Sequence, residues 1–282
     1  MKRAGTKNVT PTALERAARL AARKGAAILR RYYARRLKIV FKGEIDLVTE
    51  ADIESQKTIV RTLSTAFPSH DILAEEGGVG HDRSLAGPVW VVDPLDGTTN
   101  FAHGFPVFAI SIAYREQGEM LFGLVYQPIL DELFIAHRGK GATLNGRAIH
   151  VSRNRDILKC LLSTGFPYDR RTSRENNLDL FTHFELTAQC VRRVGAASLD
   201  LANVACGRFD GFWEPKLAPW DIAAGILLVE EAGGRVTDYR GRPIEDLRCG
   251  EIVGTNGRIH DVMISGIASA RGKTLVGTPP AP

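Results

Sequence analysis

The segment Trp90-Val91-Val92-Asp93-Pro94-Leu95-Asp96-Gly97-Thr98-Thr99-Asn100 holds the residue types in this chain most able to do chemistry. Asp93 and Asp96 stand at the exit of a short apolar run. Pro94 and Gly97 hold the backbone between and after them in a tight path, on which carboxylates and main-chain carbonyls can converge. Paired oxygen ligands around a small space suit a hard divalent cation such as Mg²⁺. Gly97-Thr98-Thr99 then offers unobstructed backbone N–H groups, and a helix starting there would attract an anion. A metal beside an anion cradle is a phosphate site. An ordinary Asp-Gly turn with a capping threonine accounts for the same residues, and both readings stand at this level.

Other acidic groups bear on that choice. Glu75-Glu76 follows the apolar Ile72-Leu73, where adjacent carboxylates repel unless a cation or solvent offsets them. Asp221 follows Trp220 and precedes an apolar helical run over 222–229, a place equally suited to capping that helix. Asp46 and Asp52 flank Leu47-Val48-Thr49-Glu50-Ala51 and are explained as well by a solvated helix start. Spacing alone does not bring these distant groups together.

The elements that must position them are readable from periodicity. Residues 11–33 carry Leu14, Ala17, Ala18, Ala21, Ile28 and Leu29 at helical spacing, with Thr10 as N-cap and Pro11 at the first helical position. A second helix is expected from about 52 to Pro68, with extended chain over 37–50 between the two. Val89 to Val92 reads as a buried strand ending at Asp93-Pro94, and 108–114 and 120–127 read as a hairpin. Shorter strands are expected at 133–136 and 142–144, so this half is helices plus an antiparallel sheet. Beyond it, strand-like stretches at 161–164, 190–194 and 252–254 alternate with helical ones at 176–187, 198–206 and 222–232, the rhythm of an α/β layer. The expected division is an α+β subdomain over 1–149 with the metal and phosphate groups, an α/β subdomain over 150–270 with substrate contacts, and a flexible tail over 271–282.

Composition bounds the rest. With 282 residues, 44% hydrophobic and 24% charged, the chain can bury a sizeable core, which excludes disorder, collagen and coiled coil. Lys plus Arg is 37 and Asp plus Glu is 32, a net +5 lying partly in the first seven residues and in Arg30, Arg31, Arg35 and Arg36. No basic stripe interleaved with aromatics accompanies it, so nucleic acid is not the expected partner. Cys160, Cys190, Cys206 and Cys249 form no C-x-x-C pair and read as reduced thiols. No apolar run reaches the ~18 residues that span a bilayer. A cytoplasmic protein without a membrane association is expected.

Taken jointly and in order, Asp46 to Asp52, Glu75-Glu76, the run from Trp90 through Asn100 to Pro106, Trp220-Asp221-Ile222-Ala223-Ala224-Gly225 and Glu231-Ala232-Gly233-Gly234 resemble the motifs of the inositol monophosphatase family over about 13–268. The resemblance implies a layered αβαβα sandwich of the inositol monophosphatase and fructose-1,6-bisphosphatase type, and Mg²⁺-dependent, lithium-sensitive hydrolysis of a phosphate monoester. Carried over by position, Glu75, Asp93 and the carbonyl of Leu95 would hold one metal, and Asp93, Asp96 and Asp221 a second. A third, mostly hydrated metal would share Glu75. Asp52 and Thr98 would orient and deprotonate the attacking water. The amides of Gly97 and Thr98 would hold phosphate oxygens, while the Ala197 amide and the Glu214 carboxylate would contact substrate hydroxyls. Lys42 lies where the family has a basic residue near the metals, with a spacing too uncertain to assign. The family also implies a homodimer.

The substrate expected on this basis is myo-inositol monophosphate. Fructose 1,6-bisphosphate or another sugar or nucleotide phosphate is the alternative. A second phosphate would need a cation at the far end of the pocket, for which Arg170, Arg171, Arg174, Arg192 and Arg193 are candidates without a place. An interaction protein of transcription complexes is a reading of another class. A nucleotide-binding module is disfavoured by the lack of G-x-G-x-x-G or Walker patterns. His103, in a glycine-flanked loop, and Cys206 read as structural.

Overall fold

The structure, a computed structural model, describes residues 10–33, 39–41, 47–76 and 87–271, with backbone alone for 39–41 and 47–49. Lys42 and Asp46 lie outside the described residues, as does all of the expected tail except Arg271, which ends the last helix.

Helix α1 (Pro11–Tyr33) begins where the capping pair requires, the Thr10 hydroxyl accepting the Ala13 amide at 3.2 Å. Its buried stripe of Leu14, Ala17, Ala18, Ala21, Ala22, Ala26 and Leu29 is mostly alanine, so a neighbour can lie close. That neighbour is α2 (Glu50–Ala66), which contributes Ala51, Ile59 and Leu63. Between the two helices β1 (Ile39–Phe41) pairs antiparallel with β2 (Leu47–Thr49).

Strands β3 (Asp71–Ala74), β4 (Val89–Asp96), β5 (Ala109–Glu116), β6 (Glu119–Gln127), β7 (Glu132–His137), β8 (Gly141–Leu144) and β9 (Arg147–Ile149) form one sheet in that order. The short helix α3 (Thr98–Ala102) follows β4. All neighbours in the sheet are antiparallel, as expected for the strands read from the sequence, except β3 and β4, which run parallel, β3 being a strand the sequence reading did not assign. Strand alternation sorts the side chains: Trp90, Val92, Ile110, Ile112, Phe122 and Leu124 face α1 and α2, while Val89, Val91, Ala109, Ala113 and Val125 face the opposite side.

The second half supplies β10 (Leu161–Thr164), α4 (Leu178–Thr187), β11 (Cys190–Arg192), α5 (Ala197–Ala205), β12 (Gly211–Pro215), α6 (Pro219–Glu231), β13 (Arg235–Thr237), β14 (Glu251–Thr255) and α7 (His260–Arg271). Its sheet has the order β11-β10-β12-β14-β13. Helices α5 and α6 are buried between the two sheets, with Leu199, Leu201, Leu227 and Leu228 in the same core as Val91 and Phe212. Each such side chain contributes about 1.5–3 kcal/mol by leaving water. Helices α4 and α7 cover the outer face, where Phe184 and Met263 pack with Trp213 and Val253. The layers therefore run αβαβα.

Two departures from the sequence reading matter for the site. Strand β4 does not stop at Asp93 but continues, fully buried, to Asp96. Helix α6 starts two residues earlier than Asp221, at Pro219, which puts Asp221 inside the first turn. Strands β9, β12 and β13 and helix α7 have too few apolar repeats to be read from the chain.

Candidate active site

A cavity of about 280 Å³ opens where the end of β4 meets the N-termini of α5 and α6 and the end of β12. Its lining includes Glu75, Asp93, Leu95, Asp96, Gly97 and Thr98 from the first half, and Ala197, Glu214 and Asp221 from the second. Asp52 is the one residue of the expected set outside the lining, and it joins through Thr98.

The convergence rests on a β-bulge. Asp93 pairs with Ser111 and Asp96 with Ala109, so three steps on β4 oppose two on β5. A proline suits the bulge because no ladder donor is needed there. The Ser55 hydroxyl holds the Pro94 carbonyl at 3.1 Å, and the Leu95 amide donates to Asp93 Oδ1 at 2.9 Å. The chain then turns through Gly97 at φ +90°, where a Cβ would come within 3.0 Å of the Val107 carbonyl, so only glycine fits. Thr98 opens α3 with its Oγ1 3.0 Å from both Asp52 Oδ1 and the Leu95 carbonyl. One hydroxyl proton serves one acceptor at a time. Given to Asp52, it leaves the Leu95 oxygen available.

Each remaining acid is held by its own element. Gln56 on α2 grips Glu76 through both backbone groups, accepting its amide at 2.7 Å and donating to its carbonyl, which fixes the turn carrying Glu75. Of the adjacent pair only Glu75 lines the cavity. Asp96 Oδ2 accepts the Ser198 amide at 2.8 Å and the Ser198 hydroxyl at 2.5 Å, so this carboxylate sits on the first turn of α5. The Ala197 amide, expected from the resemblance to meet substrate hydroxyls, also acts on Asp96. Asp221 Oδ2 accepts the Ala218 amide at 2.7 Å. Asp221 is not the N-cap that its place before the apolar run suggested, since that position is Ala218; from the third position of α6 it accepts the Ala218 amide and also lines the cavity.

The electrostatics are those of a crowded acidic nest. Burial drives the Asp93 carboxyl well above the ordinary range, and Glu75, Asp96 and Asp221 push it further, with only the Leu95 amide working against them. Asp221 is raised by burial and then by Asp96, against the Ala218 amide. Asp96 is raised by burial, while the Ser198 hydroxyl and the first amides of α5 oppose the rise. Among the described residues no three Asp, Glu, His or Cys side chains are closed up as a ready-made metal group. These acids line the space between them and repel across it.

Glu214 stands at the other end on β12, raised by burial and by Asp200, with Arg193 working the other way. A Cβ at Gly165 would overlap its carboxylate, so that glycine makes its room. Asp200 on α5 is buried with both oxygens lacking a hydrogen-bond partner. Sequence reasoning placed Ser198 and Asp200 within a stretch, 192–200, that resembles a substrate-contact segment but gave them no role, and it missed Gln56, Ser55 and Gly165. Ser198 left a local signal, a hydroxyl in the first turn of a helix after Gly195. Among the expected cations, Arg193 lines the cavity and Arg170, Arg171, Arg174 and Arg192 do not. His103 ends α3 at its C-cap, away from the lining, and Cys206 is a half-buried thiol raised by burial.

Ser198→Ala is expected to lower kcat/KM about tenfold or more, since hydrogen bonds to charged groups contribute roughly 1.5–3 kcal/mol. Steady-state kinetics on a phosphate ester check this, and unchanged kinetics would remove Ser198 from the site.

Layers of this order around a buried carboxylate cavity at the strand and helix ends make a layered α/β fold of the kind that solved inositol monophosphatases share. The chain belongs to the inositol monophosphatase family, whose sequence profile matches residues 11–271. It is 47% identical over 226 residues to an inositol-1-monophosphatase of Synechocystis, covering 79% of this chain and 77% of that one. It is 45% identical over 229 residues to the Nus factor SuhB of Pseudomonas aeruginosa, covering 80% and 84%. The solved inositol monophosphatase of Anabaena superposes with a TM-score of 0.84 at 42% identity, covering 92% of this chain and 96% of that one.

Proposed function

We propose that this phosphatase hydrolyses polyol monophosphates, myo-inositol monophosphate foremost, with Mg²⁺ held by Glu75, Asp93, the Leu95 carbonyl, Asp96 and Asp221. The observation that carries the reading is Asp93, which is 2% exposed and surrounded by other acids. Such a group is tolerable when a cation sits among the oxygens. The donor set is all oxygen, carboxylate and carbonyl, which fits a hard divalent ion.

When bound, Mg²⁺ would neutralise the phosphate, lower the pKa of a water and stabilise the departing oxygen. The chain supplies the rest. With its hydroxyl donating to Asp52, Thr98 Oγ1 presents a lone pair that accepts from and orients a water; as that water gives a proton to Thr98 Oγ1, the hydroxyl passes its own proton to Asp52, which ends with one proton and leaves Thr98 unchanged. The amides of Gly97 and Thr98, at the start of α3 where no intrahelical acceptor exists, face the phosphate oxygens. Glu214 and the Ala197 amide meet the hydroxyls of the leaving polyol. Positioning alone contributes roughly 7–11 kcal/mol, short of what phosphate monoesters demand, so the charge-neutralising acids are required as well. In this reading the first 149 residues hold most of the metal and phosphate groups and 150–270 the substrate contacts. A homodimer in the cytoplasm belongs to the same reading and rests on the family resemblance.

Among the described residues no helix is long and apolar enough to cross a membrane. A protein that acted only by binding partners would have no use for the buried acidic cavity, which favours catalysis over a purely interacting role. The test is phosphate release from a panel of polyol, sugar and nucleotide phosphates with and without Mg²⁺. Turnover that requires Mg²⁺, is highest on inositol monophosphate and falls on addition of lithium is expected. A folded protein that releases no phosphate from any of them overturns the reading.

A further inference from the structure

Two cations line the cavity, and they differ in what they hold. Lys216 is engaged, with Nζ 2.6 Å from Asp169 and 2.8 Å from the Ser173 hydroxyl. Arg193 is exposed at the cavity and makes no hydrogen bond or ion pair among the described residues. Its place is nevertheless defined. A Cβ at Gly195 would lie 2.8 Å from Arg193 Nη1, so the guanidinium is folded over that glycine. The backbone beneath it is tied to α3, Asn100 Nδ2 donating to the Val194 carbonyl at 2.9 Å and to the Gly195 carbonyl at 3.4 Å. The helix that carries Thr98 thus also holds the segment that carries Arg193.

We propose that Arg193 anchors a second anionic group on the leaving-group side of the substrate, so that beside polyol monophosphates the cavity also accepts phosphate esters bearing another phosphate or a carboxylate. This rests on the phosphatase reading above and extends it to substrate choice. A guanidinium with free donors is a planar fork that matches carboxylate and phosphate oxygens two at a time. Glu214, beside it, suits hydroxyls and repels anions, so the pair divides a polyol's hydroxyls from its charge. The cavity is small enough, about 280 Å³, that one small ligand reaches from Thr98 to Arg193. The competing role for Arg193 is to offset the buried Glu214 and Asp200, on both of which its charge acts. That role would affect every ester alike, whereas an anchor affects only those carrying a second anion.

Matched pairs separate the two on the Mg²⁺-loaded enzyme. Glycerol 2-phosphate against 2-phosphoglycerate tests a carboxylate, and fructose 1-phosphate against fructose 1,6-bisphosphate tests a phosphate. In Arg193→Gln the ratio of kcat/KM, charged ester over its neutral partner, is expected to fall about tenfold or more in at least one pair. The loss should sit in KM, shrink in high salt and be partly restored by Arg193→Lys. Melting curves check that the variants fold. An unchanged ratio in both pairs, or a wild-type enzyme that hydrolyses the neutral esters and neither charged one, overturns the inference while leaving the phosphatase reading intact. No Mg²⁺-dependent release from any ester overturns both.

Discussion

Asp93→Asn is expected to lower Mg²⁺-dependent phosphate release by about 10³-fold or more, while the metal-free protein melts higher than wild type. The two halves of that result have one cause. Asparagine keeps the shape of the side chain and an oxygen for the Leu95 amide, which donates to Asp93 at 2.9 Å. What it removes is the charge. In the metal-free protein the carboxyl must either bear a buried charge against Glu75, Asp96 and Asp221 or hold a proton that the unfolded chain releases, and the asparagine avoids both costs, so the substitution relieves the fold. In the working enzyme the same charge would help hold Mg²⁺, and removing one preorganised electrostatic group typically costs about 10²–10³ in rate. A buried carboxylate at the centre of the acids that would hold the metal belongs at or beyond the top of that range. Each kcal/mol gained would raise the melting temperature by roughly 2–4 °C for a chain of this order of size. Thermal melts in chelator and phosphate-release assays in Mg²⁺ check the two halves. Wild-type turnover in the variant would overturn the assignment of Asp93. Lost turnover together with a lower melting temperature would make Asp93 a structural acid.

How much of this was legible in the chain varies with the physics of each part. Helix α1 was readable end to end because its stripe is long and its cap, Thr10-Pro11, is local chemistry. Strand β4 was readable only as far as Val92, because the residues that continue it, Asp93-Pro94-Leu95-Asp96, look like a turn; they remain in the sheet as a bulge stabilised by Ser55, a residue 39 positions away. The acids could be named from local motifs, and their joint occurrence in order pointed to the family. Their meeting is a tertiary fact, set by two sheets presenting strand ends and helix starts to one another. Supporting groups such as Gln56 and Gly165 left no trace, because a glutamine in a helix and a glycine after a strand are ordinary until their long-range partners are known. Asp221 shows why a helix boundary matters: the helix begins two residues earlier than the apolar run suggests, so the acid sits in the first turn, where it accepts the Ala218 amide and lines the cavity as well.

A Mg²⁺-dependent stabilisation that grows with pH is the second large effect expected. Burial, reinforced by neighbouring acids, raises Asp93, Asp221, Asp200 and Glu214, and burial raises Asp96, all above their unfolded values. The native state then binds protons that the unfolded chain has released, so stability falls as pH rises. For these groups the contribution is fully present below the unfolded carboxyl values of about 4 and is lost progressively above them, until the native carboxyls ionise too. His260 works in the opposite direction. Burial lowers it to about 4, so its contribution is present above the unfolded histidine value of about 6.5 and is lost as pH falls toward the native one. The two trends overlap in a simple melt, and Mg²⁺ separates them. A cation bound among Asp93, Asp96 and Asp221 displaces their protons but leaves His260, which is enclosed by Thr237 and Thr255, untouched. The difference between melting temperatures with and without Mg²⁺ therefore isolates the acids. It should be small near pH 5 and large near pH 8, approaching about 2.7 kcal/mol once free Mg²⁺ is 100 times its dissociation constant. Calorimetric titrations in buffers of different ionisation enthalpy should register proton release on Mg²⁺ binding at neutral pH. An increment that is the same at both pH values, with no protons released, would mean that the cation binds elsewhere and that these acids do not form its site.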